Sequence, residues 1–119
     1  MRNLMILKSA VLVAATTLAP LAPAHAGSST PIRHADTVYG GSVDRYTHVF
    51  RAGEEAVVAA RGTGDIDLQI LDEYGNVIVQ DFAGDTVPVC RFRPRWTGVF
   101  VIRVVNAAGF DVDYVLASN

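Results

Sequence analysis

From Val43 to Asn119 apolar and polar residues take turns along short runs, and glycine, proline and asparagine cut the runs at intervals of roughly eight to twelve residues. Tyr46, His48 and Phe50 recur at every second position of Val43 to Arg51. Glu54 to Arg61, Asp67 to Asp72, Val77 to Asp81, Thr86 to Phe92, Val99 to Asn106 and Asp113 to Ala117 read the same way. Successive side chains of a strand point to opposite faces, so alternation of this kind buries one set and wets the other. The inward set is Tyr46, His48 and Phe50; Ile66, Leu68 and Ile70; Cys90 and Phe92; Phe100, Ile102 and Val104; Tyr114 and Leu116. The outward set includes Arg45, Asp67, Gln69, Arg91, Arg93 and Arg103. The runs are rich in Val, Ile, Phe and Thr and too often broken for a helix. The pattern predicts an all-β domain, a small antiparallel β-sandwich of about seven to eight strands.

The first residues read differently. Arg2 and Lys8 precede an apolar stretch from Ala10 to Ala19, Pro20 and Pro23 break it, and Ala24-His25-Ala26 supplies small residues at the positions a signal peptidase reads. Residues 1–26 are therefore expected to be a signal peptide, cleaved before Gly27. The apolar part is short of the ~20 residues a bilayer span needs, so no membrane insertion is expected after cleavage. Residues 27–42 carry Ser, Thr, Pro and Gly without periodicity and are expected to form a flexible leader, His34 included, with the sandwich over 43–119. The expected destination is the periplasm or the external medium.

Removing the signal takes away Arg2 and Lys8 and leaves eight basic against twelve acidic residues, a net charge of −4. Nucleic-acid binding by bulk charge is disfavoured at that balance. Cys90 is the sole cysteine, so no internal disulfide forms, and its place in VPVCRF predicts a buried, inert thiol.

Several stretches taken in order carry a resemblance: YTHVFRAG (Tyr46 to Gly53), GDIDL (Gly64 to Leu68), LDEYGNVIVQD (Leu71 to Asp81), CRFRPRWTGVFVIRVVN (Cys90 to Asn106) and DYVLASN (Asp113 to Asn119). Together they resemble the bacterial pre-peptidase C-terminal domain. The resemblance implies a jelly-roll-like sandwich without catalytic activity of its own, which assists secretion, localisation or substrate engagement by contacting a protein or a polysaccharide. Some relatives bind calcium through an acidic linker before the first strand. The matching stretch here, GSSTPIRHADTVYGGS, holds only Asp36.

Two groups of residues invite chemistry. The hairpin segment GDIDLQILDEYGN and the run VIVQD after it place Asp65, Asp67, Asp72, Asn76 and Asp81 within a short span, and calcium takes roughly six to eight oxygens from side chains of this kind. The spacing excludes an EF-hand, because Gln69 and Ile70 occupy places that motif reserves for a ligand and a glycine. The competing reading has Asp65 and Asp72 capping turns while Asp67 faces water. A glycosidase pair at Asp65 and Asp67 is the weakest alternative, since any Asp-x-Asp strand gives that spacing and so small a sandwich has little room for a sugar cleft. Arg91, Arg93 and Arg95 alternate before Trp96 and are the candidate partner-binding residues. Beside them an exposed indole marks a recognition surface, whereas a buried one leaves only a solvated sheet face. No organic cofactor is expected.

Overall fold

The computed structural model describes residues 31–119, so the expected signal peptide and the first residues after it lie outside the described part. Eight strands follow one another: β1 (Arg33–Val38), β2 (Val43–Phe50), β3 (Ala56–Gly62), β4 (Ile66–Asp72), β5 (Val77–Asp85), β6 (Val89–Phe92), β7 (Gly98–Val105) and β8 (Val112–Ser118). They form two four-stranded antiparallel sheets, in the orders β1-β8-β3-β6 and β2-β7-β4-β5. Every connection but one crosses from one sheet to the other, which is the jelly-roll arrangement. The exception is β4 to β5, the hairpin.

The expected inward set makes the core. Tyr46, Phe50, Ile66, Leu68, Ile70, Phe100, Ile102, Val104 and Leu116 are each at most 2% exposed. Phe50, Phe92 and Phe100 meet edge-on or tilted with centroids 5.1 to 5.9 Å apart, the arrangement aromatic quadrupoles prefer. Truncating Phe50 to Ala would cost about 3 to 5 kcal/mol, the range for a large buried aromatic.

One polar group closes the core from within. Asp44 is 2% exposed, and Tyr114 Oη donates to its Oδ2 at 2.7 Å while Tyr46 Oη stands 2.5 Å from Tyr114 Oη. Asp44 and Tyr46 come from β2 and Tyr114 from β8, so this chain of oxygens ties the two sheets together. Burial pushes the Tyr114 phenol far up, and its bonds to Tyr46 and Asp44 push it further.

The stretch expected to be a leader contains a strand. Arg33 to Val38 pair with Ala117 to Val112, with Ile32 and Val38 buried at either end. Its inward positions include His34 and Asp36 and its outward ones Ala35 and Thr37, so hydrophobic alternation is missing and pairing with β8 holds it instead. His34 is half-buried rather than solvated, stacked on Tyr46 with centroids 5.1 Å apart. Gln69 is a second correction. It points outward from β4 yet is 8% exposed, because Arg103 Nη1 donates to its Oε1 and its own Nε2 donates to Gln80 Oε1 at 2.9 Å. Outward residues on a central strand are covered by their cross-strand neighbours.

Candidate functional site

The β4–β5 turn is built by its own residues. The N–H of Gly75 donates to the Asp72 carbonyl at 3.1 Å, and the N–H of Asp72 donates to the Asn76 carbonyl at 2.9 Å. Gly75 sits at φ 90°, a left-handed conformation that only glycine adopts cheaply. Asp72 Oδ1 accepts from the N–H groups of Tyr74 at 2.9 Å and Asn76 at 2.8 Å, and Oδ2 accepts from Asn76 Nδ2 at 2.8 Å. These bonds, the Asn76 amide first, hold the Asp72 carboxyl below its ordinary value of 3.8.

The start of β4 is unlike its end. Ile66 pairs with Asp85 and Leu68 with Asp81, so two steps on β4 match four on β5, and Gly84 takes up the excess at φ 75°. Asp67 stands beside this bulge. Burial raises its carboxyl above the usual 3.8, and the charges of Asp81, Asp65 and Asp85 raise it further. Asp81 Oδ1 accepts from Ala83 N at 3.1 Å and Oδ2 from Val89 N at 2.9 Å, while Asp85 Oδ1 accepts from Val87 N at 2.8 Å. The five residues read as calcium ligands are thus divided. Asp72 and Asn76 satisfy each other in the turn, and Asp65, Asp67 and Asp81 gather at the other end of the strand. Among the described residues no three of His, Cys, Asp and Glu are grouped to hold a metal ion.

The arginine stripe also divides. Arg91 lies on β6 opposite Val57, facing outward from the sheet edge. Arg93, Arg95 and Trp96 lie beyond the strand, at the end of the sandwich where the chain returns to β7. There they border a recess of about 310 Å³ with Val77 and Ile78, over the buried Pro94 and Phe100. The Trp96 indole stacks on Phe100 with centroids 5.6 Å apart and an interplanar angle of 21°, and remains 39% exposed. Glycine at 98 permits this: a Cβ there would lie 3.0 Å from the indole Cδ1 and 3.1 Å from Nε1. Neighbouring loops fix the wall. Gly53 N donates to the Pro94 carbonyl at 2.8 Å, Ala52 N to Thr97 Oγ1 at 2.9 Å, and Arg93 Nη1 to the Gly53 carbonyl.

Sequence reasoning missed Val77 and Ile78. Ile70 pairs with Val79 but Leu71 with Val77, so Ile78 is an extra residue on β5, and both Val77 and Ile78 are left exposed, at 50% and 38%. The signal was the unbroken Val77-Ile78-Val79 in a strand with one wet face.

The remaining candidates are structural. Cys90 is 1% exposed with Sγ 3.6 Å from the Leu68 carbonyl, and burial, then the charge of Asp81, push its thiol up to about 12. His48 is 4% exposed and packs edge-on to Phe50 at 5.3 Å. Neither Asp65 nor Asp67 borders the Trp96 recess or the larger recesses of the opposite sheet.

No protein-family model matches the chain, and no curated protein matches it in sequence. Solved structures match in shape. The pre-peptidase C-terminal domain of a collagenase from Bacillus anthracis superposes with a TM-score of 0.62 at 17% identity, over 76% of this chain and 88% of that one. The Yersinia pseudotuberculosis-derived mitogen gives 0.63 at 15% identity, over 76% and 85%. A periplasmic inhibitor of g-type lysozyme from Aeromonas hydrophila gives 0.53 at 19% identity, over 79% and 86%. The motifs of the sequence and the order of its strands thus meet in one result: this chain has the sandwich fold of a pre-peptidase C-terminal domain.

Proposed function

We propose that the chain is an exported, non-catalytic binding module that engages a protein or a polysaccharide through the recess at Trp96. The observation that carries this reading is the Trp96 ring, anchored on core Phe100 yet 39% exposed and bordered by Arg93 and Arg95. Tryptophan and arginine dominate binding hot spots because one offers a rigid apolar plane and the other a planar fork of donors. Support also comes from the fold: one structure that shares it is a lysozyme inhibitor and another is a domain of a collagenase. The expected export signal and the absence, among the described residues, of any helix long and apolar enough to cross a membrane agree with a periplasmic or extracellular place.

Trp96 is the sole tryptophan, so intrinsic fluorescence reports on the site directly. Titration with a g-type lysozyme and with a soluble polyuronate is expected to give a saturable spectral shift with one of the two. Trp96→Ala and Arg95→Glu, followed by calorimetry, should each weaken that binding at least about tenfold, and Arg95→Glu, at an exposed side chain, should do so with an unchanged melting midpoint. Binding indifferent to both substitutions, or no saturable shift with either probe, overturns the proposal.

A further inference from the structure

The outer face of the β1-β8-β3-β6 sheet carries a second feature, independent of Trp96. Register places Arg33, Ala117, Ala59 and Val89 in one row across the four strands and Ala35, Val115 and Arg61 in the next. The floor is thus made of small apolar side chains, where the exposed face of a sheet ordinarily carries polar ones. Two adjoining recesses of about 580 and 380 Å³ lie on it and share Arg61 and Val115. Arg33 and Arg61 are exposed, and no hydrogen bond or ion pair joins either side chain to another described residue. Two acids border the larger recess, Asp36 and Asp113, the latter accepting the Thr37 hydroxyl at 2.6 Å, at the end of the trough away from Arg33. The smaller recess is lined by Arg33 and Arg61 and by no acid. The smaller recess, cationic and apolar-floored on a net acidic chain, selects an anionic partner by charge.

Size and spacing narrow the partner. Arg33 and Arg61 stand two strands and two residues apart, about 12 Å between Cα atoms. An extended peptide repeats its same-face side chains so that positions i and i+4 are about 13 Å apart, with i+2 midway. Tyr114 turns into the core, and no other aromatic residue lines the two recesses to stack a sugar. The geometry points to a docking surface for an extended segment of a partner protein with the pattern acid-x-apolar-x-acid. The two carboxylates meet Arg33 and Arg61, and the middle side chain settles over Ala117 and Val115.

The test uses an acetylated, fluorescein-labelled nonapeptide centred on Glu-Thr-Leu-Thr-Glu, with anisotropy and amide chemical-shift mapping on the exported chain. Saturable binding is expected, with shifts on β1, β8 and β3. Arg33→Glu with Arg61→Glu should weaken it at least about tenfold, as should replacing both peptide Glu by Gln or the Leu by Ser, and binding should weaken as salt rises. Trp96→Ala should leave it unchanged, which separates this surface from the recess. The substituted arginines are exposed, and an unchanged melting midpoint checks that the variant is folded. Absence of saturable binding at millimolar peptide, equal binding by the double variant, shifts confined to the Trp96 end, or displacement of the peptide by a soluble polyuronate at lower concentration would each overturn the inference.

Discussion

Strand β4 carries an aspartate near each end, and the two live in opposite electrostatic circumstances. Asp72 receives three hydrogen bonds from Tyr74 and Asn76, and its carboxyl is held below 3.8. Asp67, five residues earlier, is partly buried and faced by Asp81, Asp65 and Asp85, and its carboxyl is held above 3.8. The donors that a turn supplies convert a carboxylate into a fastener. A bulge that brings acids together leaves one under mutual repulsion. The difference teaches that a run of acids in sequence is not one site, because the fold decides partner by partner which charges are welcome.

The sharpest way to break this contrast is Asp72→Ala, which removes three accepted hydrogen bonds and the organisation of the Gly75 turn. The melting midpoint is expected to fall by about 5 °C or more; no fall would mean that the turn holds without its carboxylate. The pH dependence of the two ends should have opposite sign. A lowered carboxyl contributes stability that is present above 3.8 and lost as pH falls through the folded value. A raised one favours the fold at low pH and loses that advantage as pH rises from 3.8 through the folded value. Asp67→Asn should therefore raise the midpoint by about 1 to 3 °C at pH 7 and leave it unaltered at pH 3, while Asp72→Asn should do harm at pH 7 that fades at pH 3. The smallest effect is expected from calcium. With Asp72 and Asp81 committed to backbone donors, millimolar calcium should move the midpoint by less than about 1 °C, and a clear rise would reunite the acids around an ion.

Much of this was legible beforehand, and the exceptions have physical causes. The alternation of Tyr46, His48 and Phe50, or of Phe100, Ile102 and Val104, announces a half-buried strand because burial acts on every second residue. The turn at Asp72 to Asn76 was legible because Gly75 and the Asx side chains act locally. β1 was hidden since its inward His34 and Asp36 are polar, and it is held by pairing with β8 and by the stack of His34 on Tyr46 of β2, neither of which alternation names. Gln69 was misread because its cover comes from Arg103 and Gln80, neighbours that alternation alone does not name. The arginine stripe looked continuous in sequence, yet β6 ends at Phe92, which sends Arg93 and Arg95 around the corner and leaves Arg91 on the sheet. The bulge that adds Ile78 to the recess is a matter of register, which one strand alone does not specify.

The jelly-roll connections carry a kinetic consequence. Of the eight strands, β4 and β5 are the only sequential two that pair with each other, so every other pairing requires closing a long loop before any contact rewards it. Assembly should be slow, on the order of milliseconds to seconds, and should start where the chain needs no distant help. In stopped-flow refolding, weakening the hairpin turn at Gly75 is therefore expected to slow folding, whereas weakening the late-docking β1 through Val38→Ala should mainly hasten unfolding. The stretch that looks most ornamental in the sequence becomes the place where the molecule begins.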